Sequence, residues 1–224
     1  MNWSNPSLLL LRVHGSLVYR ISRWVASRKR HVFRRQLASR GLGAMMAIPS
    51  FTTEDELIAL YELACASPLH CTAVEVGSYL GASACYIAAG LAPRSSRLIC
   101  VDTWQNETMP DGVRDTFSEF LRNTAACRET ITTLRLRSRK LLPDALPSEL
   151  ALGFIDGDHS FDGVRCDVGV VAPHISEGGI LAFHDAPHFA GVSKVIGELL
   201  QTGHWAPRGQ VGNLVWLCKK RFEK

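Results

Sequence analysis

Five short runs rich in apolar residues dominate the sequence: TAVEV (72–76), RLICV (97–101), ITTLRL (131–136), LALGFI (150–155) and GGILAF (178–183). The segments between or after them, 82–91, 113–126, 161–173 and 190–201, carry apolar residues at helical spacing. A strand that is apolar on both faces has to be covered on both, and the intervening helices supply the cover. The pattern therefore predicts a doubly wound α/β sheet of mainly parallel strands. A further helix is expected over 51–66, where Thr52 or Thr53 offers an N-cap before the acidic first turn Glu54-Asp55-Glu56. Near the end, a turn at 208–213 precedes the strand NLVWLC, which predicts a closing hairpin with an antiparallel edge strand.

At 224 residues the chain suits one domain of moderate size plus an appendage. Charge places the appendage first. Nine of the 25 Lys and Arg lie in residues 1–53, which hold no acid, so the remainder carries 16 basic and 21 acidic side chains. The body is mildly acidic, which argues against a nucleic-acid partner. Residues 1–50 are read as a basic helical arm and 51–224 as the domain. In the arm, Leu10, Val13, Leu17, Ile21, Trp24 and Val25 share one face of a helix over 8–25 and Arg12, Ser16 and Arg23 the other. Such a helix suits peripheral docking on an anionic membrane, a cleaved targeting peptide, or packing on the domain or on a partner in a homo-oligomer. A short apolar stripe meets protein more often than lipid, which favours packing. No stretch is long and apolar enough to span a bilayer. The seven cysteines are scattered and form no CxxC pair, as in reduced thiols of a cytoplasmic protein.

VEVGSYLGAS (74–83) reads as strand, glycine turn and helix start. Gly77 and Gly81 let a ligand approach backbone, and the helix end presents unpaired N–H groups. The spacing is GxxxG, not the GxGxxG of a dinucleotide turn, and Glu75 precedes it. A carboxylate there opposes pyrophosphate but suits a cofactor with an amino group and a positive sulfur. Asp102, ending the next strand, is placed to accept hydrogen bonds from ribose hydroxyls.

These blocks, with VDTW (101–104), FIDGDHSFDGVRCDV (154–168) and GGILAFHD (178–185), resemble the class I S-adenosylmethionine-dependent methyltransferases, in particular the group that includes macrocin O-methyltransferase and related antibiotic-sugar O-methyltransferases. A more distant likeness is to the catechol O-methyltransferases. The resemblance spans about residues 51–219 and implies a Rossmann-like sheet of seven strands. It further implies a cofactor pocket lined by Glu75, Gly77, Ser78, Tyr79, Asp102 and Trp104. Gly81 and Ser83 of the same turn and Asp156 are expected to bind the cofactor as well, with Ser138, after the third strand, near the adenine.

Asp156, Asp158 and His159 follow the fourth strand and His184 and Asp185 the fifth, where an open α/β sheet presents its site. Singly, each has a structural explanation, such as a helix cap or a packed strand-end histidine. Together they form a patch suited to a divalent cation: an oxygen-rich set takes Mg2+, and imidazole admits Mn2+ or Fe2+. The resemblance implies Asp156 and Asp185 as metal ligands and His159 as the base, with Asp158 beside it in the catalytic group. The departure is His184, where these relatives carry an Asp; it serves either as a third ligand or as a second base without metal. The loop 103–117, with Trp104 and Met109, is expected to cover the acceptor.

The reading is an S-adenosylmethionine-dependent O-methyltransferase that uses a divalent metal (Mg2+ or Mn2+) and acts on a small-molecule hydroxyl, of a sugar or other metabolite. Its rivals are a metal-free N- or O-methyltransferase with a histidine base, and a cofactor-binding module without turnover that its arm recruits.

Overall fold

The computed structural model describes residues 27–107, 112–142 and 144–221. The expected helix over 8–25 and Met109 lie outside them. The chain divides into two compact units, 1–43 and 44–224, so the division falls a few residues before the expected boundary. In the first unit, residues 27–39 are helical. This helix ends at Gly41 (φ 73°), where Gly41 N–H donates to Ala38 O and Leu42 N–H to Leu37 O, the paired bonds of a glycine C-cap.

The larger unit is a seven-stranded sheet with helices. The strands are β1 (Thr72–Val76), β2 (Arg97–Asp102), β3 (Ile131–Arg135), β4 (Leu150–Ile155), β5 (Ile175–Phe183), β6 (Trp205–Val211) and β7 (Leu214–Lys219). Their order is β3-β2-β1-β4-β5-β7-β6. Strands β1 to β5 pair in parallel, and β7 runs antiparallel to both β5 and β6. The antiparallel C-terminal strand is thus present, but it is threaded between β5 and β6, and β6 takes the edge. The hairpin turn contracts to Gly212–Asn213, because residues 205–211 extend as strand with an irregularity between Pro207 and Gly209.

Five α-helices accompany the sheet: α1 (Glu54–Ala66), α2 (Ala82–Leu91), α3 (Phe117–Asn123), α4 (Phe161–Val171) and α5 (Ala190–Gln201). Every residue of α2 is buried. On α4 and α5, Val164, Val168, Val192 and Val195 join Val76, Ile155, Leu181 and Phe183 of the sheet in one core. Helix α3 is shorter than the 113–126 that its spacing predicts. Arg114 N–H and Thr116 N–H donate to Gln105 O and Trp104 O, which ties 114–116 into the preceding loop and delays the helix to Phe117.

Register, more than any single residue, positions the site. Val76 pairs with Val101 and with Ile155, and Ile155 pairs with Phe183. Asp102, the last residue of β2, and Gly77, Asp156 and His184, which follow β1, β4 and β5, therefore emerge side by side. The chain turns outward in opposite directions on either side of the β1–β4 pair, the crevice at which open α/β sheets bind ligands. Among the described residues no helix is long and apolar enough to cross a membrane, and none of the seven cysteines is in a disulfide.

Candidate active site

The glycine turn is built around Asp102. Its Oδ2 accepts from Ser78 N–H (2.7 Å) and Tyr79 N–H (2.9 Å), and its Oδ1 from Trp104 N–H (2.7 Å). Tyr79 (φ 45°) and Trp104 (φ 51°) are left-handed, a strained state for such residues that these bonds hold in place. Gly77 (φ 87°) passes so close to β4 that a side chain there would overlap the Asp156 carbonyl oxygen. A cavity of ≈ 300 Å3 opens between these strand ends, bordered by Gly77, Tyr79, Asp102, Ser138, Asp156 and Asp167. The Ser138 hydroxyl donates to Asp167, a carboxyl that burial lifts to about 6.

Five expected pocket residues do not border this cavity: Ser78 and Ser83 line a second one, and Trp104, Gly81 and Glu75 line neither. Trp104 is 1 % exposed and packs between Phe117 and Phe120, each ring centroid 4.8 Å away; its backbone, not its ring, serves the site. Gly81 forms the left-handed N-cap of α2 (φ 92°) and faces Phe120 and Thr124, not the cavity. Glu75 is fully buried beneath the turn, where its Oε2 accepts from Ser78 Oγ (2.6 Å) and Cys100 Sγ (3.5 Å). Its part is to brace the turn from below.

Burial pushes Glu75 up to about 7, against the hydrogen bonds of Ser78, Ser83 and Cys100 that favour its charge. A carboxyl whose folded pKa is raised takes up protons on folding, so its contribution to stability is complete below about 4.5 and lost as pH rises through about 7. A Glu75→Gln variant carries no such dependence. Its unfolding free energy relative to wild type should rise by on the order of 3 kcal/mol between about pH 4 and pH 8, read from urea midpoints. A difference that stays constant over that range would show that Glu75 is charged in the fold.

A second cavity, ≈ 290 Å3, meets the first along Gly77, Tyr79, Asp156 and Gly157. Its far wall holds His159, His184 and Asp185, and Phe51 and Phe189 flank its mouth. Asp156 Oδ1 lies 3.3 Å from His159 Nε2 and 3.4 Å from His184 Nδ1. Asp185 Oδ1 is 3.6 Å from His184 Nδ1, and its Oδ2 is 3.8 Å from His159 Nδ1. Asp185 itself is left-handed (φ 56°), as Tyr79 and Trp104 are, in a region that Asp tolerates better than they do. The hydrogen bond that His159 donates to Asp156 raises the pKa of His159 against the opposing effect of burial. Burial also opposes charge on His184, but Asp156, Asp185 and Glu56 outweigh it and push that imidazole up to about 9.

One ligand atom each from Asp156, His184 and Asp185 lies within 4.8 Å of the others. Separations of 3.4 and 3.6 Å are spanned by an ion with bonds of about 2.1 Å, so the donor set fits a small divalent cation. Asp158 stands apart from this cluster. Its Oδ1 accepts from Ser160 N–H (2.9 Å), its carboxyl packs against Gly163, and it borders the first cavity only. It shapes the entry to α4 and does not accompany the histidines. Sequence reading missed Glu56, Asp167, Phe51 and Phe189. Of these only Glu56 left a local signal, as the acid of a capping box.

A family model described as a methyltransferase domain matches residues 74–186. The fold also resembles solved structures. One is CalS11, a TDP-rhamnose 3'-O-methyltransferase of calicheamicin biosynthesis (19% identity, TM-score 0.54, 72% of this chain and 76% of that one). Another is a putative caffeoyl-CoA O-methyltransferase from Staphylococcus aureus (12%, TM-score 0.62, 92% and 100%). A third is the O-methyltransferase TomG from Streptomyces achromogenes in complex with SAM (13%, TM-score 0.53, 76% and 82%). No curated protein matches the chain in sequence.

Proposed function

Because this chain belongs to the methyltransferase-domain family, we propose that it methylates a hydroxyl of a small molecule held in the second cavity, with S-adenosylmethionine in the first. The observation that carries this is the seam: the two cavities meet at Asp156, the residue that also joins both histidines. Asp102 and the N–H groups it orders shape the ribose end of the cofactor cavity, and Ser138 and Asp167 its other wall. S-adenosylmethionine brings an electrophilic methyl carbon on a positive sulfur. Asp156, His184 and Asp185 would hold a divalent cation, which lowers the pKa of a hydroxyl beside it. His159, wedged between Asp156 and Asp185, takes the hydroxyl proton as the O–C bond forms and the C–S bond breaks, the electron pair leaving on sulfur. Its raised pKa makes it a stronger base and requires a pH high enough to keep it neutral. A sugar acceptor has the support of the likeness to CalS11, although Phe51 and Phe189 would stack equally on a flat phenol.

A second reading rests on one observation. Three carboxylates surround His184, and a protonated imidazole there supplies the positive charge without metal. Release of S-adenosylhomocysteine, screened over sugar and phenol acceptors, tests both. Turnover that EDTA abolishes and Mn2+ restores is expected; full turnover in EDTA would establish the metal-free reaction. No release with any hydroxyl acceptor, together with turnover of an amine, would overturn O-methylation.

A further inference from the structure

His184 is nearly enclosed, at 3 % exposed, and its two ring nitrogens face opposite ways. Nδ1 faces Asp156 and Asp185; Nε2 lies 3.4 Å from Glu56 Oε2. Glu56 is 1 % exposed and belongs to α1, 128 residues earlier in the chain. It lines neither cavity. Its carboxylate is fixed from three other sides: Thr53 N–H and Thr53 Oγ1 donate to Oε2 at 2.7 Å, and Asn213 N–H donates to Oε1 at 2.6 Å. The β6–β7 turn makes room for it, since a side chain at Gly212 would overlap Oε1.

We infer that Glu56 is a positioning residue: it holds the Nε2–H of His184, so that the ring is locked and Nδ1 is left as the ligand atom beside Asp156 and Asp185. A carboxylate behind a ligating imidazole fixes its tautomer and raises its basicity. The inference rests on the metal-assisted reading above and adds a selectivity to it. An imidazole held as a ligand shifts an otherwise all-oxygen site from Mg2+ towards Mn2+.

The test is calorimetric titration of the full chain with Mn2+ or Mg2+ alone. Wild type should bind Mn2+ more tightly than Mg2+. Glu56→Gln should lose tenfold to a hundredfold in Mn2+ affinity while S-adenosylhomocysteine affinity stays unchanged. In a His184→Asp background there is no imidazole to hold, and Glu56→Gln should cost Mn2+ affinity nothing. Should Glu56→Gln fail to fold, Gly212→Ala displaces the carboxylate without removing it and should weaken Mn2+ in the same direction. Unchanged Mn2+ affinity in Glu56→Gln, or an equal loss in both backgrounds, would overturn the inference and leave Glu56 as a helix cap. A wild type that binds S-adenosylhomocysteine but no Mn2+ would overturn the metal-assisted reading as well.

Discussion

Asp156→Ala is expected to lower methyl transfer by at least about a thousandfold while leaving S-adenosylhomocysteine affinity within a few-fold of wild type. Both halves follow from its position. The main chain of Asp156 continues the sheet, its N–H donating to Val76 O at 2.8 Å, and truncation keeps that bond and the cofactor turn beside it. The side chain, by contrast, is the common neighbour of His159 Nε2 and His184 Nδ1 and one of the three groups that would hold the proposed cation. On the proposed mechanism its loss removes a charge from the metal set and the partner of the base in one step, each a contribution of about a hundredfold or more. The residual rate should carry a further mark. The hydrogen bond to Asp156 is the main reason that the His159 pKa is raised, so without it the imidazole becomes neutral at lower pH. The acidic limb of the residual rate should therefore move to lower pH than in wild type. Single-turnover assays with labelled cofactor and calorimetry of the product measure the two halves. Turnover within tenfold of wild type, with cofactor affinity intact, would remove Asp156 from the chemistry.

The fold was legible because it rests on local signals. LALGFI has no polar side chain and TAVEV keeps Ala73, Val74 and Val76 apolar, as buried parallel strands require, and both form strands with the expected limits, 72–76 and 150–155. What escaped was decided by contacts across the chain. Residues 205–211 carry Pro207, Arg208 and Gly209 at their centre, which signal a turn, yet they extend because β7 lies beside them and offers its unused edge. That β7 enters between β5 and β6 depends on pairing partners, which no short window of sequence contains. Likewise the start of α3 at Phe117 is set by the Arg114 and Thr116 bonds to residues a dozen or fewer positions back, and helical periodicity carries no trace of them.

The site was legible as a set of strand ends and illegible in the direction of its side chains. Parallel register brings Gly77, Asp102, Asp156 and His184 to one edge, so any chain with these strands would present them together. Position along a strand does not say whether a side chain points into a cavity or beneath it. Glu75 lies in β1, which is buried on both faces, and there Ser78 and Cys100 take it. Trp104 follows Asp102 by two residues and turns inward through a left-handed backbone that its type gives no reason to expect. Glu56 was visible as the acid of a Thr-x-x-Glu box, a complete local explanation that hid its second contact.

The Gly77→Ala variant should be destabilised by about 4 kcal/mol or more and lose cofactor binding, whereas Gly112→Ala should cost about 1–2 kcal/mol and bind normally. The pair is informative because both glycines have φ 87°, so the backbone penalty of a side chain in the left-handed region is common to them. Around Gly112 there is nothing within 4 Å of an added Cβ. At Gly77 the same atom would overlap the Asp156 carbonyl oxygen and lie 2.8 Å from Gly157 N. These are main-chain atoms at the end of β4 and have no rotamer by which to withdraw. They are tied down further, with Asp156 N–H on Val76 O and His184 N–H on Ile155 O (3.1 Å). Relief has to come from parting β1 from β4, which opens the seam where the two cavities meet and displaces Asp156 from both histidines. Urea unfolding and calorimetry with S-adenosylhomocysteine measure the two effects. Equal destabilisation of the two variants would mean that the backbone angle alone demands glycine at position 77, and that the strand ends tolerate a wider seam than their geometry implies.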